Sequence, residues 1–161
     1  MSILLDVLRH GAALPCGEGG DRQRTLAPRG VRCLTALAER LRGEGWRPDR
    51  AFSSPLRRAR DSAQIVLQGA EAAVPIEVLE ALEPDAEPSE VLDALAEQGV
   101  TGGHVLVVGH QPLLGRLVGH LAGSEKALSP GTLVRIECPW DLGQGTGRVV
   151  LTHEPGDLAH P

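Results

Sequence analysis

Aromatic residues are nearly missing from this 161-residue chain: Phe52, Trp46 and Trp140 are all of them, and there is no tyrosine. Proteins that grip single-stranded nucleic acid stack its bases on aromatic rings, so that class of partner is disfavoured. Lysine is scarcer still. Lys126 is the single one among 16 basic residues, and the rest are arginine. Acidic residues outnumber the basic ones, which leaves a formal net charge of -5 and a pI of about 5.7. No global basic field exists to attract a polyanion. Cys16, Cys33 and Cys138 are odd in number, widely spaced and without a CxxC pair. Neither a disulfide framework nor a zinc set fits them, and reduced thiols in a reducing compartment are the default. No apolar run approaches the roughly 20 residues of a membrane span. The start, Met1-Ser2-Ile3-Leu4, lacks the basic region and cleavage site of a signal peptide. The expectation is a cytoplasmic protein with no nucleic-acid or membrane partner, a monomer by default. The length suits one domain, residues 1–161, with a core of Leu, Val, Ile and Ala.

Two apolar runs organise what is present. Ile3-Leu4-Leu5-Asp6-Val7-Leu8 ends in Arg9-His10-Gly11, and His104-Val105-Leu106-Val107-Val108 ends in Gly109-His110-Gln111-Pro112. Both read as buried strands, and chemistry in an open sheet gathers where such strands end. Pro112 is expected at the first position of a helix carrying Leu113, Leu114, Leu117, Val118 and Leu121. His110 would then lie beside free amides, a natural anion site. After His10 comes a loop rich in Gly, Pro and charge, Gly11 to about Thr25, whose segment Gly17-Glu18-Gly19-Gly20-Asp21 reads as a flexible connector. A helix follows with Leu34, Leu37, Ala38 and Leu41 on its apolar stripe, ended by Gly43 and Gly45.

Ala51-Phe52-Ser53 is a short strand. Ser54 is expected to cap the next helix and Pro55 to open it, with Ala59, Ala63, Val66 and Leu67 buried. Arg57 and Arg58 fall in its first turn, where cations oppose the helix dipole. Such local inconsistencies concentrate at functional sites. A strand at Ile76–Leu79, an acidic loop at Glu83–Pro88 and a short helix capped by Ser89 come next. The segments Thr132–Cys138 and Gly147–Thr152 suit an antiparallel hairpin. The end, from Glu154, is expected to fray. Alternating strands and helices argue an α/β fold, a three-layer α/β/α sandwich whose central sheet is mixed and mostly parallel.

Two strand-end histidines and one helix-start arginine can meet at one sheet edge. Arg9, Arg58 and Arg24 would surround two imidazoles. Positive charge gathered on an acidic protein points to a small anionic group, and Arg forks suit phosphate oxygens. Imidazole can attack phosphorus and form a covalent intermediate. Arg and His supply the charge neutralisation, so no metal or cofactor is expected. His104, His120, His153 and His160 show no metal-ligand spacing and read as ordinary surface or core residues.

Val7-Leu8-Arg9-His10-Gly11, Ser54-Pro55-Leu56-Arg57-Arg58-Ala59 and Val108-Gly109-His110-Gln111-Pro112 resemble, in order, three motifs of the histidine phosphatase superfamily, also called phosphoglycerate mutase-like. The resemblance covers about residues 3 to 153. The compact length, Arg24-Thr25-Leu26 and Leu82-Glu83-Pro84 look most like the SixA-type phosphohistidine phosphatases. The resemblance implies that His10 is the nucleophile and that Arg9 grips the phosphoryl oxygens. It implies Arg58, directly before Ala59, as the second phosphate arginine. His110 is implied as a hydrogen-bond donor to the phosphoryl group, and Arg24 as a substrate-binding residue beside the pocket. Asp61-Ser62 replaces a common Gln-Thr and reads as variation outside the reacting centre.

Many members carry a general acid between the second motif and the second histidine. Glu80, Glu83, Asp85 and Glu87 are the candidates here; no motif singles one out, and a solvated loop is the favoured reading of Glu83 and Asp85. Only 51 residues separate Arg58 from His110, where the mutase branch has a longer insertion, so an open, shallow site is expected. The implied activity is hydrolysis of phosphohistidine on a protein. Alternatives are hydrolysis of small phosphate esters, such as a sugar phosphate or nucleotide, and a non-catalytic phosphate-binding module.

Overall fold

The computed structural model describes residues 2–16, 18–139 and 142–158. Gly17, Trp140 and His160, which entered the sequence reading, lie outside them. The two apolar runs form β1 (Ser2–Arg9) and β4 (Gly103–Gly109), side by side and parallel. β2 (Arg50–Ser53) pairs with the other side of β4, and β3 (Ile76–Val78) with β2, both parallel. The terminal hairpin closes the other edge: β5 (Leu133–Pro139) runs antiparallel to β1, and β6 (Arg148–His153) antiparallel to β5. The order across the sheet is β3-β2-β4-β1-β5-β6.

Side chains alternate along each strand, so each central strand feeds two cores. Ile3, Leu5 and Val7 join Val105 and Val107 under α3 (Pro88–Glu97) and α4 (Leu113–Ala122), meeting Leu95, Leu113 and Leu117. Leu8, Leu106 and Val108 face the other way. They meet Leu34, Leu37 and Leu41 of α1 (Pro28–Gly43) and Ala59, Ala63 and Val66 of α2 (Arg57–Gly69). Helices thus cover both faces of a mixed, mostly parallel sheet, the three-layer α/β/α architecture. No helix among the described residues is long and apolar enough to cross a membrane.

Asp6 breaks the apolar pattern of β1. It is fully buried on the α1 side and accepts hydrogen bonds from Trp46 Nε1 (2.7 Å) and Arg135 Nε (2.7 Å). His104 Nε2 lies 2.5 Å from the same carboxylate.

Several local expectations change. Ser54 and Pro55 do not open α2, which starts at Arg57 with Leu56 at the N-cap. The Ser54 hydroxyl accepts the Leu56 N–H instead (3.1 Å) and turns the chain before the helix. Glu87, not Ser89, caps α3, through a capping box with Glu90. That pairing satisfies two helix-start donors at once. Pro112 is the N-cap of α4 rather than its first residue. The amides behind it are occupied: Leu114 N–H donates to the His110 carbonyl (2.9 Å), and Gly115 N–H to Gln111 Oε1 (2.7 Å). The connector after His10 is tied down by an antiparallel bridge between Ala13 and Leu26 and by a 3-10 turn at Asp21–Gln23. At the end of the chain, a short helix, α5 (Pro155–Leu158), packs against α1.

Candidate active site

The register of the sheet decides which residues meet. Arg9 of β1 lies opposite Gly109 of β4, and Ser53 of β2 opposite Val108. The parallel strands therefore end level. His10 N–H continues the ladder to the Gly109 carbonyl (3.0 Å), and Ser54 N–H to the Val108 carbonyl (3.0 Å). His10 and His110 leave neighbouring strands at the same edge, with ring centroids 5.0 Å apart.

They line a cavity of about 340 Å³ together with Arg9, Arg24, Arg29, Arg58 and Gln111, walled by Ala12, Ala13, Pro84 and Pro130. The structure thus brings all five sequence-derived site residues, Arg9, His10, Arg24, Arg58 and His110, into one pocket. Arg57 stays outside, on the surface of α2 beside Asp61 (3.5 Å).

Close backbone packing sets this geometry. A Cβ on Gly30 would stand 2.3 Å from the Ala12 carbonyl oxygen, and one on Gly11 would stand 2.8 Å from Leu34 Cδ1. The absence of side chains at these two glycines lets the first turn of α1 press against the loop that carries His10. Ser62 ties the same loop to α2. Its buried hydroxyl accepts the Gly11 N–H (3.0 Å) and donates to the Arg58 carbonyl (2.6 Å). Ser62 does not line the cavity, but it braces two of the motifs that do.

The tautomer of His10 follows from its partner. Nδ1 lies 2.7 Å from the Gly11 carbonyl oxygen, which can only accept. Nδ1 therefore holds the proton and Nε2 the lone pair. Burial, and then the charges of Arg58, Arg9 and Arg24, lower the His10 pKa to about 4, against the opposing pull of the Gly11 hydrogen bond. Burial, His10, Arg58 and Arg9 likewise lower His110 to about 3, with Asp21 pulling the other way. Both imidazoles are neutral at pH 7.

His110 Nε2 lies 2.8 Å from Ser54 Oγ. Leu56 N–H already uses a lone pair of that oxygen. The Ser54 hydroxyl hydrogen is free to donate to His110 Nε2, while the second lone pair of Oγ can accept from it; in the donating arrangement the imidazole proton sits on Nδ1. His110 Nδ1, Arg9 Nε and Arg58 Nε are buried without a partner among the described residues. Buried polar atoms are normally satisfied, and three orphans in one pocket suit an oxygen-rich anion.

The arginines are anchored from behind. Arg9 Nη1 donates to the Leu128 carbonyl (2.7 Å). Arg58 Nη1 donates to the Asp21 carbonyl (2.9 Å) and Nη2 to Asp21 Oδ2 (3.3 Å). Arg24 donates through Nε to the Leu14 carbonyl (2.8 Å) and through Nη1 to Asp21 Oδ1 (3.3 Å). Burial raises the Asp21 pKa, but Arg24 and Arg58 outweigh it and hold the carboxyl below its ordinary value.

Sequence reasoning passed over Arg29, Gln111, Asp21 and the orienting role of Ser54. Arg29 carried a usable signal: like Arg58, it is a cation in the first turn of a helix that has no acid there.

None of the candidate acids lines the cavity. Glu83 pairs with Arg22, and Glu87 with Arg116. Glu80 and Asp85 line a neighbouring groove with Glu83 and Glu90. The other described histidines lie elsewhere: His104 on Asp6, His153 beside Glu44 (3.1 Å), and His120 in a groove with Ser89 and Asp93. Among the described residues, no group of three or more His, Cys, Asp or Glu is placed to hold a metal ion.

Known proteins share this architecture. The sequence model of the histidine phosphatase superfamily (branch 1) matches residues 5–84. No curated protein matches the chain by sequence. The tungstate complex of the protein histidine phosphatase SixA superposes with a TM-score of 0.84 at 25% identity, covering 96% of this chain and 99% of that one. A structure from Nakamurella multipartitia, assigned as a phosphohistidine phosphatase SixA, gives 0.80 at 24% identity, covering 96% and 97%. Phosphoglycerate mutase from Bacillus anthracis gives 0.71 at 18% identity, covering 98% and 96%. The last two likenesses speak to the fold alone.

Proposed function

The chain belongs to the histidine phosphatase superfamily, and on that footing we propose that it hydrolyses phosphohistidine on a protein through a phosphorylated His10. His10 Nε2 attacks phosphorus, and the bond from phosphorus to the substrate imidazole breaks. The released nitrogen takes a proton from solvent. Water then attacks the phosphorus of phospho-His10, the P–N bond breaks, and inorganic phosphate leaves. The water proton returns to solvent, and His10 regains its neutral form with Nδ1–H on Gly11.

Arg9 and Arg58 neutralise and orient the phosphoryl oxygens, which is most of what such a transfer needs. His110, in the arrangement where Ser54 donates to it and its proton sits on Nδ1, donates to one of those oxygens. Gly11 fixes which nitrogen attacks.

The observation that carries the substrate class is the pocket lining: two histidines, four arginines and no carboxylate. An alkoxide leaving group benefits from a positioned acid. An imidazole leaving from phosphorus protonates readily without one. The phosphohistidine phosphatase SixA, similar over nearly the full length of both chains, supports the same reading.

Turnover of a phosphohistidine-bearing protein against a panel of small phosphate esters, at matched concentrations and with chelator, tests the proposal. Faster release of phosphate from phosphohistidine is expected. Selective turnover of an ester, abolished by Glu83→Gln or Asp85→Asn, would overturn the substrate assignment.

A further inference from the structure

Charge in the pocket does not close on one phosphoryl group. Four guanidinium groups line it, both histidines are neutral at pH 7, and no carboxylate is part of the wall. Asp21 is the one acid tied to these arginines among the described residues, and Arg24 and Arg58 share it. A phosphoryl dianion and Asp21 together offset three positive charges and leave one.

Arg29 is the cation left over. Arg9 and Arg58 are held from behind by carbonyls, and Arg24 by Leu14 and Asp21. The Arg29 guanidinium makes no hydrogen bond or ion pair with any described residue. It is solvent-exposed and Arg24 is half-buried, whereas His10, Arg58 and His110 are buried. The buried groups form the floor of the pocket, and the two outer arginines form its mouth. Their placement is built in, because the Gly30–Ala12 contact fixes the first turn of α1 against the His10 loop. A cation there works against the helix dipole, a local cost that a bound anion would relieve.

We propose that Arg29, with Arg24, forms a second anion subsite at the mouth of the pocket, for a carboxylate or phosphate that the substrate carries beside its transferring phosphoryl group. The inference rests on the phosphatase reading and deepens it: preferred substrates are anionic next to the phosphorylated position. On a protein, the second group is an acidic side chain flanking the phosphohistidine. On a small molecule, it is a second acid group.

Matched pairs of substrates test this. One pair is a phosphohistidine peptide flanked by Asp and Glu against the same peptide flanked by Ala. The other is 3-phosphoglycerate against glycerol 3-phosphate, which differ by one carboxylate. Each is assayed with wild type, Arg29→Gln and Arg29→Lys. The wild type should favour the anionic member about three- to ten-fold in kcat/KM, through KM, the size of one partly exposed charge-assisted pair. Arg29→Gln should bring that ratio close to one, and Arg29→Lys should restore part of it. The peptide and small-molecule pairs distinguish the two sources of the second charge.

A ratio of one in wild type, or a ratio unchanged by Arg29→Gln, overturns the subsite. Absence of turnover on every substrate overturns the phosphatase reading instead. The subsite then still answers to calorimetry with inorganic anions: pyrophosphate must bind wild type more tightly than phosphate does, and Arg29→Gln must remove the difference.

Discussion

At the scale of single residues, the account turns on which nitrogen of His10 holds the proton. The Gly11 carbonyl places it on Nδ1, and burial among arginines keeps the ring neutral. Nitrogen-15 NMR of the imidazoles should therefore show His10 neutral and Nδ1-protonated at pH 6, titrating near 4. A midpoint near 6.5, the value of an unperturbed histidine, would show that the environment does not act this way. Arg9, His10 and His110 were legible in the sequence because apolar runs end at them and sheet edges collect chemistry. Arg58 was legible as a cation at a helix start. Arg29 gave the same signal without a neighbouring motif to draw attention to it. Asp21 gave none, since its link to Arg58 spans 37 positions and runs partly through a backbone carbonyl. The Ser62 brace has the same character: a helix hydroxyl holding a loop amide 51 positions away leaves no local pattern.

At the scale of elements, the site depends on α1 pressing against the exit of β1. Gly30→Ala would force a Cβ to within 2.3 Å of the Ala12 carbonyl oxygen. Overpacking of that kind costs about 1–3 kcal/mol, and the shift would fall on the loop that carries His10. Thermal unfolding should show a lower Tm, and phosphate affinity should fall with it. Gly43→Ala, in the same helix with open space at its Cβ, is the control and should be neutral or mildly stabilising. Equal effects at both positions would contradict the close-packing argument. Apolar patterning located β1, β4, α1, α2 and α4, because each buries its apolar side chains in one or both of the two cores; β3 and β6, at the sheet's edges, are mostly half-buried or exposed. Helix starts were less legible. Ser-Pro and Pro-Ser pairs fit several positions in a first turn, and tertiary partners chose among them: His110 engages Ser54, and Glu90 reciprocates with Glu87.

At the scale of the whole molecule, one buried polar network crosses the sheet's core. Asp6 of β1 gathers Arg135 of β5, His104 of β4 and Trp46. Burial raises its pKa, and the hydrogen bonds of His104 and Arg135 outweigh that and lower it. Asp6→Asn removes the charge that Arg135 answers. Breaking one side of a buried pair costs about 3–5 kcal/mol, so urea unfolding should show a loss of that order. A loss below about 1 kcal/mol would mean that the pair carries little. A single Asp within an apolar run gave no hint of this network in the sequence.

The pH dependence of stability follows from the same groups. His10 and His110 have folded pKa values below that of the unfolded chain, so the unfolded state binds more protons in the window between. Their contribution is complete above pH 6.5 and is lost as the pH falls from 6.5 towards 4 and 3. The Asp6 contribution is lost lower still, below its ordinary 3.8. Stability should therefore decline between pH 6.5 and 4, and His10→Gln should decline less steeply than wild type. Parallel declines would exclude His10 as a source.

Transfer of the phosphoryl group to His10 is the central claim, and rapid acid-free quenching of the intact chain during turnover of a phosphohistidine protein tests it most directly. The account predicts a transient gain of one phosphoryl mass, labile in acid and stable in base, mapped to the peptide carrying His10 and missing from His10→Ala. Phosphate release by wild type with no such adduct, or undiminished release by His10→Ala, would contradict it.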